Sequence, residues 1–364
     1  MESFKASGIH TKQAHVQIPE GLYEEEHGRK GFFGRVSHLY HQNPPVNWTH
    51  IDGELKPRCL PPVFDDKLEK NQFIPFLKNK DVIINLALFD QSYNCFFRNA
   101  DHDELFFIHQ GSGRMETIYG PLDLNKGDYI IVPRGTTYKV FVDSPLKILK
   151  LESCSEFEEP SRGLLGPNAL YDQTAIETPM AKLGSEQDLK EYKVQIKRLG
   201  KITTVTYPFN PLDAMGWKGS LYPKKLSIYD YCPIMSHRYH IPPSGHTTFV
   251  CHNFVVCSFV ARPLESSEHG VLKVPFYHSN IDYDEVLFYH QGNFFSRDNI
   301  DEGAITFHPQ GIHHGPHPNA YAKSVDKLET DEYAVMIDTK YPLEPTHHFS
   351  EAEFKNYWKS WMQV

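Results

Sequence analysis

Histidine and acidic side chains recur in two copies of one motif, and these residue types can bind a metal ion or transfer a proton. Residues 101–113 and 282–294 share the pattern Asp-x-Asp-Glu, followed by His-Gln-Gly. Downstream, residues 127–138 and 303–314 share a Gly, Pro, Gly spacing, but the first segment ends on a tyrosine and the second on a histidine. The repeat predicts a duplicated domain, with chemistry in the C-terminal copy and support from the N-terminal copy.

The elements that must position these residues are short strands. Each copy places six residues between its glutamate and its glycine, Glu104 to Gly111 and Glu285 to Gly292. Two such motifs resemble those of the cupin superfamily, which folds as small antiparallel jelly-roll barrels. The 20 Tyr, 24 Phe, 26 Pro and 23 Gly also favour strands and turns over helices. We therefore predict a mainly β bicupin of two jelly-roll β-barrels from an internal duplication, with an N-terminal arm and a short C-terminal helix.

Four segments follow from the repeat, since 364 residues exceed one typical core. We expect an N-terminal arm at 1–60, an N-terminal cupin barrel at 61–160, a connector at 161–225 and the catalytic barrel with its terminal helix at 226–364. A capping-box pattern at Ser350 predicts where that helix begins. Four aromatic residues then recur at helical spacing, namely Phe354, Tyr357, Trp358 and Trp361.

The cupin resemblance implies a ligand set in the C-terminal copy. The superfamily pattern of His, His, Glu and His falls on His278, Asn280, Glu285 and His314. Two histidines and one carboxylate that leave positions open form the triad with which non-haem Fe(II) oxygenases bind substrate and O₂ side by side. The resemblance thus implies Fe(II) held by His278, Glu285 and His314. The alternative is a cupin that keeps the motif and binds no metal.

Two neighbouring residues compete for these assignments. Asp284 competes with Glu285 by simple counting from the first ligand, but the spacing from Glu to Gly favours Glu285. His313 stands beside His314, and the Gly-x-x-His spacing with the following Gly-Pro favours His314. Both assignments therefore depend on spacing.

The N-terminal copy has lost this ligand set. Phe97, Asn99, Glu104 and Tyr138 stand at the equivalent positions, so we predict that this barrel binds no metal. Tyr138 is expected to hydrogen-bond Glu104 as a satisfied buried pair. Four other histidines are predicted to be surface or packing residues, namely His102, His109, His290 and His317.

A wider resemblance, loose over most of the chain, links it to the homogentisate 1,2-dioxygenase family. It is strongest in the C-terminal half, at residues 209–210, 216–217, 239–244, 275–280, 285 and 308–316. The resemblance implies an extradiol-type ring-cleaving enzyme that uses Fe(II) and O₂. It would convert homogentisate to maleylacetoacetate in tyrosine and phenylalanine catabolism.

The same resemblance implies two pocket histidines. His240 would match the family's histidine that acts as base, and His308 would match a second histidine near the substrate. His237, His246 and His252 lie close to His240 in sequence, so the identity of the base stays open.

Two positions depart from the family pattern. Ser279 stands where the family usually has an arginine, and Phe294 stands near the place of a tyrosine that would meet the substrate carboxylate. Arg262, Lys273 or Arg297 could supply the missing partner for an anionic substrate. One alternative is therefore a related cupin dioxygenase that acts on gentisate, a hydroquinone or another phenol. Another is a non-enzymatic cupin binding protein.

Charge and hydropathy argue against nucleic-acid-binding and membrane proteins. The net charge of −9 with no basic run argues against a nucleic-acid partner. No run approaches about 18 apolar residues and no secretory signal opens the chain, so no membrane partner is expected. Six scattered cysteines suit reduced thiols in a cytoplasmic protein. The expected partners are a small aromatic substrate, O₂ and further copies of the chain, since the family resemblance implies a trimer or hexamer.

Overall fold

The computed structural model describes residues 5–32, 34–65, 67–265, 270–273, 276–294, 297, 300–317, 320 and 326–362. Most regular structure in these residues is β-strand, and the chain forms the two barrels of a bicupin. No helix in the described part of the chain is long and apolar enough to cross a bilayer. All six cysteines are free thiols.

Eleven of the described strands form the sheet of the N-terminal barrel. Its two longest strands, β7 (Asp103–Thr117) and β10 (Thr137–Ser153), pair antiparallel along most of their length. The other strands are β4 (Ile74–Lys78), β5 (Val82–Phe89), β6 (Phe96–Asn99), β8 (Gly120–Leu124), β9 (Asp128–Val132), β11 (Tyr192–Arg198), β12 (Lys201–Tyr207), β13 (Lys224–Ser227) and β22 (Glu344–Pro345). The β11–β12 hairpin therefore extends this sheet from within residues 161–225.

A six-stranded sheet, counted over the described residues, forms the C-terminal barrel. Its strands in spatial order are β14 (Thr247–Val250), β15 (Phe254–Phe259), β21 (Tyr333–Thr339), β18 (Asp284–Gln291), β19 (Ile305–His308) and β3 (Arg58–Leu60). One strand from each end of the chain joins the distant sheet, because β3 pairs with β19 and β22 pairs with β4. This exchange ties the two halves together.

The N-terminal residues form a hairpin that lies against the C-terminal half. Strand β1 (Tyr23–Gly28) pairs antiparallel with β2 (Val36–His41) and parallel with β17 (Tyr277–Asn280). This register sets Glu26 opposite His278. A short pair, β16 (Arg262–Pro263) and β20 (Glu329–Thr330), lies apart from the larger sheets.

The two-residue period of a strand decides which side chains face each core. The face shared by the two barrels carries Leu105, Phe107 and His109 of β7 and Val286, Phe288 and His290 of β18. The opposite faces carry Glu104, Phe106 and Ile108 of β7 and Glu285, Leu287 and Tyr289 of β18. Glu104 and Glu285 therefore point into their own barrels.

The histidines repeated in both motifs meet between the barrels, which confirms their predicted packing role. His109 Nδ1 lies 3.0 Å from His290 Nδ1. The ring of His109 packs edge-on against Phe288, and the ring of His290 packs edge-on against Phe107. Burial lowers the pKa of both histidines to about 3, so both rings are neutral at physiological pH.

The C-terminal helix begins earlier than predicted, and the capping box at Ser350 was wrong. Helix α1 covers His347–Ala352, and the Thr346 hydroxyl accepts the Phe349 N–H at 3.5 Å. The chain leaves the helix at Glu353, whose carboxylate pairs with Arg58 at 2.7 Å. The helix thus ends close to where the sequence pattern would have begun it.

The aromatic residues of the tail lie on a separate 3₁₀ turn, Tyr357–Trp361. Tyr357, Trp358 and Trp361 are buried as predicted, whereas Phe354 is exposed because it precedes that turn. The Trp361 ring lies 6.2 Å from the ring of His308. The tail therefore packs against the C-terminal barrel beside a predicted pocket histidine. The remaining described 3₁₀ turns are Gly163–Leu165, Gln173–Ala175, Ile228–Asp230 and Pro243–His246.

Candidate metal centre

His278, Glu285 and His314 come together in the interior of the C-terminal barrel. All three are buried, and one ligand atom of each lies within 4.8 Å of the others. The Nε2 atoms of His278 and His314 are each 3.6 Å from Glu285 Oε2. Ligand atoms that share one ion at about 2.1 Å lie about 3.0 to 3.5 Å apart, so the cluster is close to the size of a coordination shell.

Backbone pairing holds the two histidines together. The His278 N–H donates to the His314 carbonyl at 2.9 Å, and the His314 N–H donates to the His278 carbonyl at 3.0 Å. Their rings consequently lie 4.1 Å apart. Glu285 reaches them from β18, where the strand period turns its side chain inward.

Both histidines present a bare nitrogen to the centre of the cluster. The Nδ1–H of His278 donates to the Phe276 carbonyl at 2.9 Å, and the Nδ1–H of His314 donates to the Ile312 carbonyl at 3.3 Å. Their Nε2 atoms are buried without a hydrogen-bond partner among the described residues. Such unpaired atoms are costly, and metal-bound histidines commonly donate their other N–H to a carbonyl. The three residues therefore fit a divalent ion such as Fe(II).

Asp284 and His313, the two alternative ligands, bond to groups outside the cluster. The carboxylate of Asp284 accepts the backbone N–H groups of Gln310 at 2.8 Å and Leu343 at 2.7 Å. The side chain of His313 is 40% exposed, and its Nε2 lies 3.1 Å from Glu25 Oε1 on the N-terminal hairpin. Neither residue belongs to the cluster.

Three imidazoles surround Glu285. Burial acts to raise the pKa of Glu285, whereas protons on the facing nitrogens of His314, His278 and His308 act to hold this pKa well below its usual range. His308 Nδ1 lies 2.8 Å from Glu285 Oε1, and Arg297 Nη2 lies 3.6 Å from the same oxygen. Because burial lowers the pKa of His308 to about 3, this histidine is neutral and donates its Nδ1–H to the carboxylate. His308 thus orients Glu285.

His240 lies outside the cluster of His278, Glu285 and His314. It is buried, and its Nδ1 lies 3.1 Å from Glu265 Oε1. Its ring is 6.2 Å from Phe276, whose ring is 5.7 Å from His278. None of its contacts among the described residues is with the three clustered ligands. Burial lowers the pKa of His240 despite the opposing effect of Glu265, so the ring is a neutral base.

The neighbouring histidines differ from His240 in their surroundings. His237 and His252 are exposed. His246 is buried beside the Phe259 ring at 5.6 Å, and burial lowers its pKa to about 3. Of these four histidines, His240 combines burial with a carboxylate partner.

The three candidate cations for an anionic substrate occupy separate positions. Arg297 is buried beside Glu285 and donates from Nη1 to the Gly315 carbonyl at 2.8 Å. Lys273 donates to the Lys327 carbonyl at 2.8 Å. Arg262 lies on the separate β16 strand. Arg297 is thus the candidate that contacts the clustered ligands.

Sequence reasoning missed an acidic residue beside Glu285. Asp338 on β21 lies directly across from Glu285 in the strand register and is buried. Burial and the charge of Glu285 raise its pKa well above the usual range. An aspartate directly after the apolar run 334–337 was the available signal, because a buried ionisable group at the end of such a strand needs a partner.

The N-terminal barrel holds its equivalent glutamate with fixed protein groups. The Tyr138 hydroxyl donates to Glu104 Oε2 at 3.0 Å, which confirms the predicted pair. The ammonium of Lys150 is buried 3.0 Å from Glu104 Oε1 and 2.7 Å from Glu152 Oε1. Lys150 was not among the predicted residues, although a lysine in the apolar run 148–151 signalled a buried ion pair.

The sequence of the chain is similar to those of known dioxygenases. The family model described as "Homogentisate 1,2-dioxygenase N-terminal" matches residues 76–230. A protein of Saccharolobus solfataricus named "Putative dioxygenase" is 34% identical, and the match covers 93% of this chain and 93% of that protein. Homogentisate 1,2-dioxygenases of Sinorhizobium fredii and Bradyrhizobium diazoefficiens are 27% and 26% identical over 71% and 76% of this chain. The matches span 60% and 64% of those two relatives.

Among solved structures, a cupin 2 conserved barrel domain protein from Leptotrichia buccalis is similar over 75% of this chain and 91% of its own. The sequence identity is 10% and the TM-score is 0.34.

Proposed function

Because the chain belongs to the homogentisate 1,2-dioxygenase family, we propose that it opens a dihydroxylated aromatic ring with O₂ at an Fe(II) centre. The proposed substrate is homogentisate and the product is maleylacetoacetate, as in tyrosine and phenylalanine catabolism. The observation that carries this proposal is the buried cluster of two bare imidazole nitrogens and one carboxylate. That donor set suits Fe(II) and leaves positions for two further ligands.

In this proposal, His278, Glu285 and His314 hold the ion. Bound Fe(II) would supply adjacent positions for a ring oxygen and O₂, and a path for electrons between them. The chain contributes rigid positioning, since backbone carbonyls fix both imidazoles and His308 holds Glu285. Such positioning lowers the activation barrier, because the reactants no longer lose translational and rotational entropy when they react.

We assign the proton transfer to His240. Its Nδ1–H donates to Glu265, so its Nε2 carries the lone pair that can accept a proton from a ring hydroxyl. Glu265 would then stabilise the imidazolium that forms. Phe276 separates His240 from the ligand histidines, and its apolar ring helps to exclude water from this region.

A related substrate is the second candidate, and one observation favours it. Phe294 is buried with its ring 4.8 Å from Tyr289, so no hydroxyl stands at this position to meet a substrate carboxylate. Gentisate, a hydroquinone or another phenol would then replace homogentisate at the same centre. The predicted trimer or hexamer and the cytoplasmic location stay predictions.

The test is O₂ uptake by protein that has been loaded with Fe(II) under anaerobic conditions. With homogentisate, we expect stoichiometric uptake and the ultraviolet absorbance of the ring-opened product. Uptake with gentisate or a hydroquinone alone would keep the iron centre and change the substrate. If no phenol in the panel causes uptake, the proposal fails and a cupin binding protein takes its place.

A further inference from the structure

A second cluster of two histidines and one glutamate lies in the N-terminal arm. Ligand atoms of His15, Glu26 and His38 all lie within 4.8 Å of one another. His15 Nε2 is 3.3 Å and His38 Nε2 is 3.4 Å from Glu26 Oε2. Two ligand atoms at about 2.1 Å from a tetrahedral ion lie about 3.4 Å apart. The arm cluster therefore has the dimensions of a metal site.

The nitrogen atoms that face Glu26 have no hydrogen-bond partner among the described residues. This holds for Nε2 of both His15 and His38, and His15 is fully buried. The opposite nitrogen of His15 is satisfied, since its Nδ1–H donates to Glu24 Oε1 at 2.6 Å. A carboxylate on Nδ1 fixes the tautomer that leaves the Nε2 lone pair for a metal.

The backbone around His15 is held in an uncommon conformation. The φ angle of His15 is +65°, in the left-handed region that residues other than glycine rarely adopt. Backbone hydrogen bonds hold this turn, from Gln17 N to the Gly270 carbonyl at 3.0 Å and from Leu272 N to the His15 carbonyl at 3.2 Å. The His15 N–H also donates to Glu24 Oε1 at 2.9 Å. The fold thus positions this imidazole firmly.

Strand β1 and one aromatic residue connect the arm cluster to the barrel centre. Glu26 lies opposite His278 in the parallel pairing of β1 and β17. The His15 ring stacks on Phe276 with centroids 3.9 Å apart and an interplanar angle of 8°. The Phe276 carbonyl accepts the Nδ1–H of His278. The two clusters are separate but share this connection.

From this geometry we propose that His15, Glu26 and His38 bind a second divalent transition-metal ion, for which Zn²⁺ is the best-suited probe. Two imidazoles and one carboxylate leave a fourth position for water. The His38 side chain is 24% exposed, so the ion can enter from solvent on that side. The bound ion clamps the turn at His15 onto the β1–β2 hairpin and thereby braces Phe276. The alternative to a metal ion is a proton on His15, which would place a positive charge between the carboxylates of Glu24 and Glu26.

The test counts ions in full-length His278→Ala protein, from which the barrel site has been removed. We expect one equivalent of Zn²⁺ by calorimetry and one of Co²⁺ with visible absorption bands of a low-symmetry site. Adding His38→Ala or Glu26→Gln should weaken this binding at least about 100-fold. His41→Ala is the matched control, because His41 also lies on β2 and bonds a buried glutamate, Glu25.

Wild-type protein provides a second count that does not depend on the folding of His278→Ala. After loading with Fe(II) and then Zn²⁺, we expect two ions per chain in the wild type and in His41→Ala, and one in His38→Ala. If the His278→Ala protein binds no Zn²⁺ or Co²⁺, or if His38→Ala leaves both counts unchanged, the proposal is overturned. The arm cluster would then hold only a proton.

Discussion

The two barrels carry the same motif but surround its buried glutamate with different groups. In the N-terminal barrel, Lys150 and Tyr138 occupy the oxygens of Glu104. In the C-terminal barrel, the bare nitrogens of His278 and His314 face Glu285. A buried carboxylate needs a compensating partner, and a covalently attached ammonium leaves no coordination position for a substrate. We propose that this difference separates a supporting barrel from the barrel that carries the chemistry.

The strand registers show which residues occupy matching positions in the two barrels. Glu104 lies opposite Glu152 on β10, and Glu285 lies opposite Asp338 on β21. Lys150 and Met336 each stand two residues before the opposing acid. The N-terminal barrel keeps a cavity of about 600 Å³ whose lining includes Tyr138, Lys150 and Glu152. The interior of this barrel is thus open, with the Lys150 ammonium beside Glu104.

Removing a ligand should have the largest effect. We expect His278→Ala to reduce iron retention at the barrel site and O₂ uptake to background, because two remaining ligands cannot hold Fe(II) against water. Phe97→Ala changes the equivalent residue of the N-terminal barrel and should keep both properties. Iron analysis and an oxygen electrode check this. Full activity with iron bound in His278→Ala would contradict the assignment.

Copying the buried lysine of the N-terminal barrel into the C-terminal barrel should have the second largest effect. Met336→Lys would place an ammonium near Glu285 and Asp338, as Lys150 lies near Glu104 and Glu152. Charge repulsion and occupation of the carboxylate should weaken Fe(II) binding at least about 100-fold while the barrel still folds. Anaerobic titration measures this effect, with Met336→Leu as the control of similar volume. Unchanged Fe(II) affinity in Met336→Lys would mean that the cation does not explain the lost site.

The reverse exchange should affect stability rather than chemistry. Lys150→Met leaves Glu104 and Glu152 buried without their shared cation, so we expect a loss of roughly 3–5 kcal/mol in the free energy of unfolding. Urea titration measures the loss, and iron content per folded chain should stay the same. Lys147→Met is the control, because Lys147 pairs with the exposed Asp65 and should matter by about 1 kcal/mol or less. Equal losses in the two variants would argue against a buried ion-pair network.

Acid should produce the smallest of these changes. Burial opposes ionisation of Glu152, but Lys150 and Lys197 lower its pKa from 4.5 to about 2. The resulting stabilisation is complete above pH 4.5 and is lost as the pH falls from 4.5 towards 2. The stability advantage of wild type over Glu152→Gln should therefore shrink by roughly 2 kcal/mol between about pH 6 and about pH 3. An advantage that stays constant over this range would contradict the low pKa.

The repeat made the barrels and the pair of Tyr138 and Glu104 predictable, because motif spacing and strand period are local properties. Strand pairing from distant segments was not predictable in the same way. Strand β1 contains three successive glutamates, a composition that disfavours strands. It pairs with β2 and β17, and histidines from three other segments, His15, His41 and His313, contact Glu24 and Glu25. The start of α1 was not predictable either, because its cap is Thr346, which lies outside the capping-box pattern at Ser350.

The central claim is that substrate and O₂ meet at the ion held by His278, Glu285 and His314. Nitric oxide binds Fe(II) in place of O₂ and gives a characteristic electron paramagnetic resonance signal. We predict this signal in Fe(II)-loaded wild type, a change in its shape when homogentisate is added, and its absence in His278→Ala. A signal that is the same in both proteins, or that does not respond to any phenolic substrate, would contradict the claim.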